Sequence, residues 1–435
     1  MKLRRQVFVY IAVFAALLLS LYLLTVLFAA LPNGAIQNNM RRSARYFVNA
    51  DPYAFSEDGL YQNITDNYAD QIWTNIGWNM GRGNPFRTTL DTRYTDAEQF
   101  DGSAGLHLAV NKDYEANVDY ARYWHGTAAV IRVLHLFFSV QGIRTLGLLC
   151  LLVLIFRTFL VLARLGHWEL GLCMLLSLYF VQVWNLRLSV EYLPCFLICF
   201  GLCPAFLRLE RKGDFYLNVL GIIAGTLTAF FDFLTTETVT ILLPLILVIA
   251  IRSAQRRLGS PRRVMKTLAG CILCWAAAYL GAFAVKWMAV SLVTGENYLV
   301  TALSAAGKRI GGTVSGAIPQ KTNLFMALGA NFSVLFEGSS RIEVGRVLAY
   351  LAILAVVILV IVRLYRFRNK TYPGTGFLLL LGSVVFLRYS VLANHSYMHA
   401  FFTYRAMCTT ILAILCAMVI NLRPGKKKGY RKEWN

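Results

Sequence analysis

Val7–Ala30 reads VFVYIAVFAALLLSLYLLTVLFAA, 24 residues without a charge, behind the basic start Met1-Lys2-Leu3-Arg4-Arg5-Gln6. A bilayer core about 30 Å thick is crossed by about 20 apolar residues in a helix, so this run is long enough to span it. The basic flank and Ala29-Ala30 also look like a secretory leader, but leader apolar regions are shorter, roughly 7 to 15 residues. We therefore read the run as an uncleaved first membrane helix covering residues 1–30. The next stretch, residues 31–142, is polar, and beyond it the chain turns apolar again.

Apolar runs of spanning or near-spanning length recur at 143–163, 168–184, 191–207, 215–233, 238–251, 267–292, 343–363, 375–392 and 404–421. The sequence thus predicts an all-α polytopic membrane protein with about ten transmembrane helices. Helices two to seven fall in 143–292 and helices eight to ten in 343–421. Between them lies a second polar loop, 293–342, and a basic tail of 422–435 follows. Composition agrees: 57% of residues are hydrophobic and only 15% charged, with a mean hydropathy of +0.54, outside the range of water-soluble domains. The net charge of +21 does not mark a nucleic-acid binder, because the basic residues sit between apolar runs. Lys2/Arg4/Arg5, Arg164, Arg208/Arg211/Lys212, Arg252 to Lys266, Arg363 to Lys370 and Arg423 to Lys432 occupy alternate short connections. By the positive-inside rule these connections and both termini are cytosolic. The opening polar loop, 184–190, 293–342 and the turn near 394–404 then face outward. The nine cysteines all lie in apolar runs, so no disulfide framework is expected.

Chemistry is sought on the outward side. Thr65-Asp66-Asn67-Tyr68-Ala69-Asp70 sets two carboxylates four residues apart, on one side of a helix expected over 66–80. The apolar spacing of Tyr68, Ile72 and Ile76 suits a helix lying on the membrane surface. A desolvated carboxyl there can serve as a base; Asp66 also fits a plain helix N-cap, and Asp70 a solvated face residue. Asp232, among phenylalanines at the outer end of a span, is a third candidate. A helix expected over 119–139 would bring Arg122, His125 and Arg132 within about 80° of one another. Asn394-His395-Ser396-Tyr397-Met398-His399 to Arg405, with Arg388 a turn or two earlier, is a cationic and aromatic cluster suited to an anion such as a lipid phosphate. Lys308-Arg309-Ile310-Gly311-Gly312 has the composition of a phosphate-wrapping loop without being a P-loop. Arg187 and Glu191, four apart, read as a structural ion pair. No metal-ligand motif is present; the two histidines lack the glutamate of HExxH.

This order of elements resembles the GT-C class of membrane glycosyltransferases, which use polyprenyl-phosphate-linked sugars. In that class a first helix from the cytosol leads into a long outer loop with membrane-parallel helices and a catalytic Asp or Glu. Here Asp66 lies a few dozen residues after the first span. Tyr123-Trp124-His125-Gly126, Phe231-Asp232-Phe233-Leu234-Thr235 and Asn394-His395-Ser396-Tyr397 look like pieces of uncharacterised bacterial polysaccharide-assembly membrane proteins. The resemblance implies a multi-pass protein of a bacterial cytoplasmic membrane that moves a sugar from a polyprenyl-phosphate donor to a cell-envelope glycan or lipid acceptor. Asp66, with Asp70 or Asp232, would act as base, with or without a divalent cation. Arg388, His395, His399 and Arg405, joined by Arg122, His125, Lys308 and Arg309, would hold the lipid phosphate. The competing reading is a non-enzymatic transporter or flippase, or a structural subunit of a polysaccharide-assembly complex. The spans carry few ionisable groups for an ion-coupled transporter, and a docking subunit leaves the 388–405 cluster without a task.

Overall fold

A computed structural model describes residues 2–56, 59–97, 104–311, 322–337 and 374–422; the expected span at 343–363 and the basic tail lie outside them. Among the described residues the chain is mostly helical. Helix α1 (Lys2–Ala29) is followed by a polar layer containing α2 (Asn33–Val48), α3 (Asn67–Asn79), α4 (Pro85–Thr88), α5 (Ala104–Asn111) and α6 (Gly126–Leu134). Two short antiparallel ribbons lie in the same layer, β1 (Tyr53–Ala54) with β2 (Thr65–Asp66) and β3 (Arg93–Tyr94) with β4 (Val118–Asp119). The bundle continues through α7 (Val140–Arg164), α8 (Trp168–Phe180), α9 (Pro194–Leu209), α10 (Asp214–Phe231), α11 (Val239–Ala254) and α12 (Pro261–Thr294). After it come α13 (Tyr298–Gly311), α14 (Leu324–Leu335), α15 (Thr375–Val391), α16 (Ala393–Met398), α17 (Ala400–Thr403) and α18 (Cys408–Leu422).

Among the described residues six helical stretches are long and apolar enough to cross a membrane: Arg4–Ala29, Val140–Arg164, Val190–Leu209, Asp214–Phe231, Pro261–Thr294 and Ala400–Asn421. Their outward faces are apolar as well, with Phe8 72%, Phe156 60% and Leu280 64% exposed, a surface suited to lipid. Four further apolar helices, α8, α11, α14 and α15, are shorter. The brevity of α11 has a packing reason. It is apolar all round and almost every residue from Val239 to Ile251 is buried, so it is the bundle's central rod, surrounded by other helices. Gly221 and Gly225, one turn apart on α10, allow α12 close: a Cβ at Gly225 would stand 2.2 Å from the Trp275 carbonyl oxygen. All nine cysteines are free.

The bundle has two unlike ends. At one, Glu210 at the close of α9 accepts from Arg252 Nε (2.9 Å) and Arg257 Nη2 (2.7 Å) just beyond α11, and His167 meets Gln255 at 2.9 Å. The basic connections 208–212 and 252–266 gather there. The other end carries the polar layer. Arg132 fastens it by donating to the carbonyls of Phe28 (3.1 Å), Leu31 and Gly77 (2.9 Å), the electronegative C-termini of α1 and α3. Lys286, fully buried on α12, donates to the Thr89 (3.1 Å) and Leu90 (2.7 Å) carbonyls and lies 5.4 Å from the Trp124 ring centroid, so this charge within a span is a structural tie. Thr127 Oγ1 donates to the Phe231 carbonyl (2.7 Å), joining α6 to the end of α10.

Two local expectations fail here. Helix α3 does form where the spacing predicts it, but it is buried from Asp70 to Asn79 rather than lying on a surface, because α2, α5 and α6 cover it. No helix spans 119–139. Helix α6 starts only at Gly126, after His125 adopts a left-handed backbone (φ 56°), so Arg122, His125 and Arg132 share no face. Gly126 is required at this break, since a Cβ would meet the Phe230 ring at 2.4 Å.

Candidate active site

A cavity of about 800 Å³ opens where the polar layer meets the bundle. Asp66 stands in its wall because two local elements fix it. Its backbone ends the β1–β2 ribbon opposite Tyr53, and its side chain caps α3 by accepting from the Ala69 N–H at 2.8 Å. Both roles weighed for Asp66 are therefore geometrically compatible: it is an N-cap, and it faces the cavity. Only 3% of it is exposed. Burial pushes its carboxyl up to about 7, and the Asp70 charge adds to the rise; the Ala69 N–H and the Arg144 guanidinium offset only part of this.

Asp70, one turn later, does something else. It is fully buried behind the cavity wall and accepts from Arg144 Nε (2.7 Å), Ser189 Oγ (2.7 Å), the Val190 N–H (2.8 Å) and the Glu191 N–H (3.4 Å). With its lone pairs committed to protein donors, Asp70 anchors the 189–191 turn to α3. That turn brings Glu191 into the lining of the same cavity as Asp66. Among the described residues no ion pair joins Glu191 to Arg187. The segment 183–192 is two short 3-10 turns, so residues four apart do not share a face as they would on an α-helix.

Facing these carboxyls are cations and aromatic rings. Arg122 lines the cavity with its guanidinium over two rings, 4.1 Å from the Tyr120 centroid and 5.5 Å from that of Tyr123. His395 and His399 line it from α16 and the residue after it, their ring centroids 4.6 Å apart, with His399 stacked on Phe402 at 5.2 Å. Tyr68, Trp73, Tyr123 and Phe233 supply apolar ring faces, and Val300, Thr301 and Ser304 of α13 close another side.

No family model, curated protein or solved structure matches the chain. The site's chemistry is therefore read from its own residues. Of the candidates named from sequence, Asp66, Arg122, His395 and His399 converge on one cavity. Others are occupied elsewhere. Asp232 accepts from the Thr235 N–H (3.0 Å) and the Thr235 hydroxyl, stabilising the turn that presents Phe233. Arg388 pairs with Glu237 (Nε to Oε1 2.9 Å) and donates to Ser396 Oγ (2.8 Å), so its charge is already balanced. Arg405 is sandwiched 4.7 Å from Tyr192 and 4.9 Å from Tyr404, donating to the carbonyls of Phe401 and Gln62. His125 meets the Tyr120 carbonyl oxygen through Nε2 at 2.6 Å; burial holds its pKa far below the usual imidazole range, so it stays neutral and props the Tyr120–Phe233 wall. Lys308 and Arg309 end α13, and their side chains lie outside the described residues. Among the described residues no three His, Cys, Asp or Glu side chains gather closely enough to hold a metal ion.

Proposed function

We propose that the chain is a membrane glycosyltransferase that takes a sugar from a polyprenyl-phosphate donor and joins it to a cell-envelope glycan or lipid acceptor at the outer face of a bacterial cytoplasmic membrane. The observation that carries this reading is the convergence of the Asp66 carboxyl with Arg122, His395 and His399 on one cavity, where burial raises that carboxyl to about 7. Asp66 takes the proton from the acceptor hydroxyl as its oxygen attacks the anomeric carbon, and the bond to phosphate breaks with its electron pair leaving on the phosphate. Arg122 and the two histidines offer N–H donors to that leaving anion, and the tyrosine, tryptophan and phenylalanine rings offer flat faces to the sugar. The sidedness follows from charge. The cavity sits at the bundle end opposite the basic connections, which the positive-inside rule assigns to the cytosol, and ten crossings with both termini inside fit the same alternation.

Sealed right-side-out vesicles containing the full chain, given short-chain polyprenyl-phosphate hexoses and pentoses with an acceptor outside, provide the test. Transfer is expected without permeabilisation, and Arg122→Ala is expected to lower kcat/KM about 100-fold, the usual cost of one donor to a developing anion. Transport of the intact lipid-linked sugar without glycosidic bond formation would favour a flippase instead.

A further inference from the structure

We infer that the three exposed arginines of α2, Arg41, Arg42 and Arg45, hold the headgroup phosphates of anionic phospholipids, so that α2 lies on the bilayer as a basic rim of the polar layer. This contact is independent of the chemistry of the cavity.

Two joints place α2 at the level of the lipid headgroups. Only Ala30, Leu31 and Pro32 separate its first residue, Asn33, from Ala29, where the first long apolar stretch ends. Further along, Asn39 Nδ2 donates to the His135 carbonyl (2.9 Å), and Ser43 Oγ accepts the N–H of Val140 (2.9 Å), the first residue of the second such stretch. Near the end of α2 the Tyr46 hydroxyl accepts from Arg144 Nη1 of α7 (3.1 Å). A helix of 16 residues is about 24 Å long. Tied at its start, middle and last turn, α2 therefore runs from the end of α1 across the start of α7, along the membrane surface rather than away from it. The joint it crosses is apolar and exposed: Phe137 is 70% exposed, with Leu136 and Phe138 beside it, residues of the kind that enter the boundary between headgroups and acyl chains.

The two faces of α2 differ. Ile36, Met40, Ala44 and Phe47 form a buried stripe. Away from that stripe Arg41, Arg42 and Arg45 are exposed and, at 100° per residue, fall within about 100° of one another. Among the described residues no carboxylate forms an ion pair with any of them, whereas Arg82 meets Asp113 and Arg93 meets Asp91 (3.1 Å) elsewhere in the layer. Three guanidiniums at headgroup level call for anions, and their planar forks match phosphate oxygens. They also stand at the end of the bundle opposite the basic connections, where the positive-inside rule gives them no topological task. Helix α2 packs against α3 and α5, so headgroups held on its outer face fix the height of α3, and with it Asp66, relative to the bilayer.

Photocrosslinking of the full chain in nanodiscs made of equal parts phosphatidylglycerol and phosphatidylcholine provides the test. The reporter is p-benzoylphenylalanine in place of Asn38, which is exposed on the same face one turn before Arg41 and Arg42. The adducts are expected to be lipid, with phosphatidylglycerol favoured at least about fivefold, the gain from the roughly 1 kcal/mol that one basic side chain makes at an anionic surface. The preference should vanish at about 1 M salt, where the screening length is about 3 Å. It should vanish too in the triple variant Arg41→Gln, Arg42→Gln, Arg45→Gln, and persist when the same three positions are changed Arg→Lys. The same reporter in place of Phe156, on the exposed apolar face of α7, should show no preference. The proposal is overturned if the Asn38 reporter crosslinks no lipid, which would put this face in water, or if it marks a second copy of the chain instead. It is equally overturned if both lipids are taken alike, or if the preference survives high salt or the glutamine exchange. The salt arm uses the parent arginines, so it decides the matter even if the glutamine variant fails to fold.

Discussion

Asp66→Asn is expected to lower transfer by 10²–10⁴-fold, the typical contribution of a positioned base, and at the same time to raise the apparent thermal stability of the protein above pH 7. The two effects have one cause. With its pKa raised from the ordinary carboxylate range to about 7, Asp66 binds its proton more tightly in the folded state than in the unfolded chain. Stability from this group is therefore greatest at low pH, falls as pH rises from about 4 to about 7, and stays low above that. At about 1.36 kcal/mol per unit, holding it ionised costs the native state on the order of 4 kcal/mol. Asparagine carries no charge at any pH and caps a helix as well as aspartate. In detergent at pH 8 the variant should melt roughly 2–5 °C above the parent, with the gap closing towards pH 4. Parental activity should rise with a single-proton midpoint near 7. A variant that melts below the parent at pH 8, or keeps full activity, contradicts the assignment.

Arg144→Leu is expected to cost about 3–5 kcal/mol, the penalty for orphaning a buried charge. Arg144 opens α7, and from there Nε reaches Asp70 (2.7 Å), Nη1 reaches the Tyr46 hydroxyl (3.1 Å) and Nη2 reaches Asn67 Oδ1 (2.9 Å). One guanidinium thus fastens α2 and α3 of the polar layer to the bundle, and through Asp70 it holds the 189–191 turn. Asp70→Asn alone should cost less, since the amide oxygen can still accept from Ser189 and Val190. The double variant should be more stable than the sum of the two single effects, because no unpaired carboxylate remains. Thermal midpoints and limited proteolysis of the four proteins complete the cycle. A single Arg144→Leu effect below about 0.5 kcal/mol, the range of ordinary surface changes, would contradict the anchoring role.

These two residues also mark what sequence could and could not convey. Run length was enough to locate the apolar helices that the described residues contain, because each helix must bury or expose a whole apolar surface wherever it packs; the exception is α14, twelve residues inside the stretch 293–342 that was expected to be a polar loop, too short to stand out as a spanning run. The α3 cap was legible in Thr65-Asp66-Asn67. The division of labour between Asp66 and Asp70 was not. Their spacing puts both on one side of α3, and the difference lies in Arg144 and Ser189, which come from positions 74 and 119 residues further along the chain. Arg388 is similar: its partner Glu237 is 151 residues away, and nothing local says the charge is already balanced. The break at His125 was hidden because helical periodicity in 119–139 is real but loses to ring packing of Tyr120 and Tyr123 against Phe233. Glu191 was missed through a sound rule misapplied, since four-residue spacing pairs side chains only where the backbone is α-helical.

The most direct test of the central claim is to see where a lipid-linked phosphate binds. A structure of the full chain with a polyprenyl phosphate should place the phosphate in the cavity, within hydrogen-bond reach of Arg122 and of His395 or His399, with the Asp66 carboxyl open towards it across the aromatic walls. Phosphate seated elsewhere in the chain, with the cavity around Asp66 empty of it, would contradict the account.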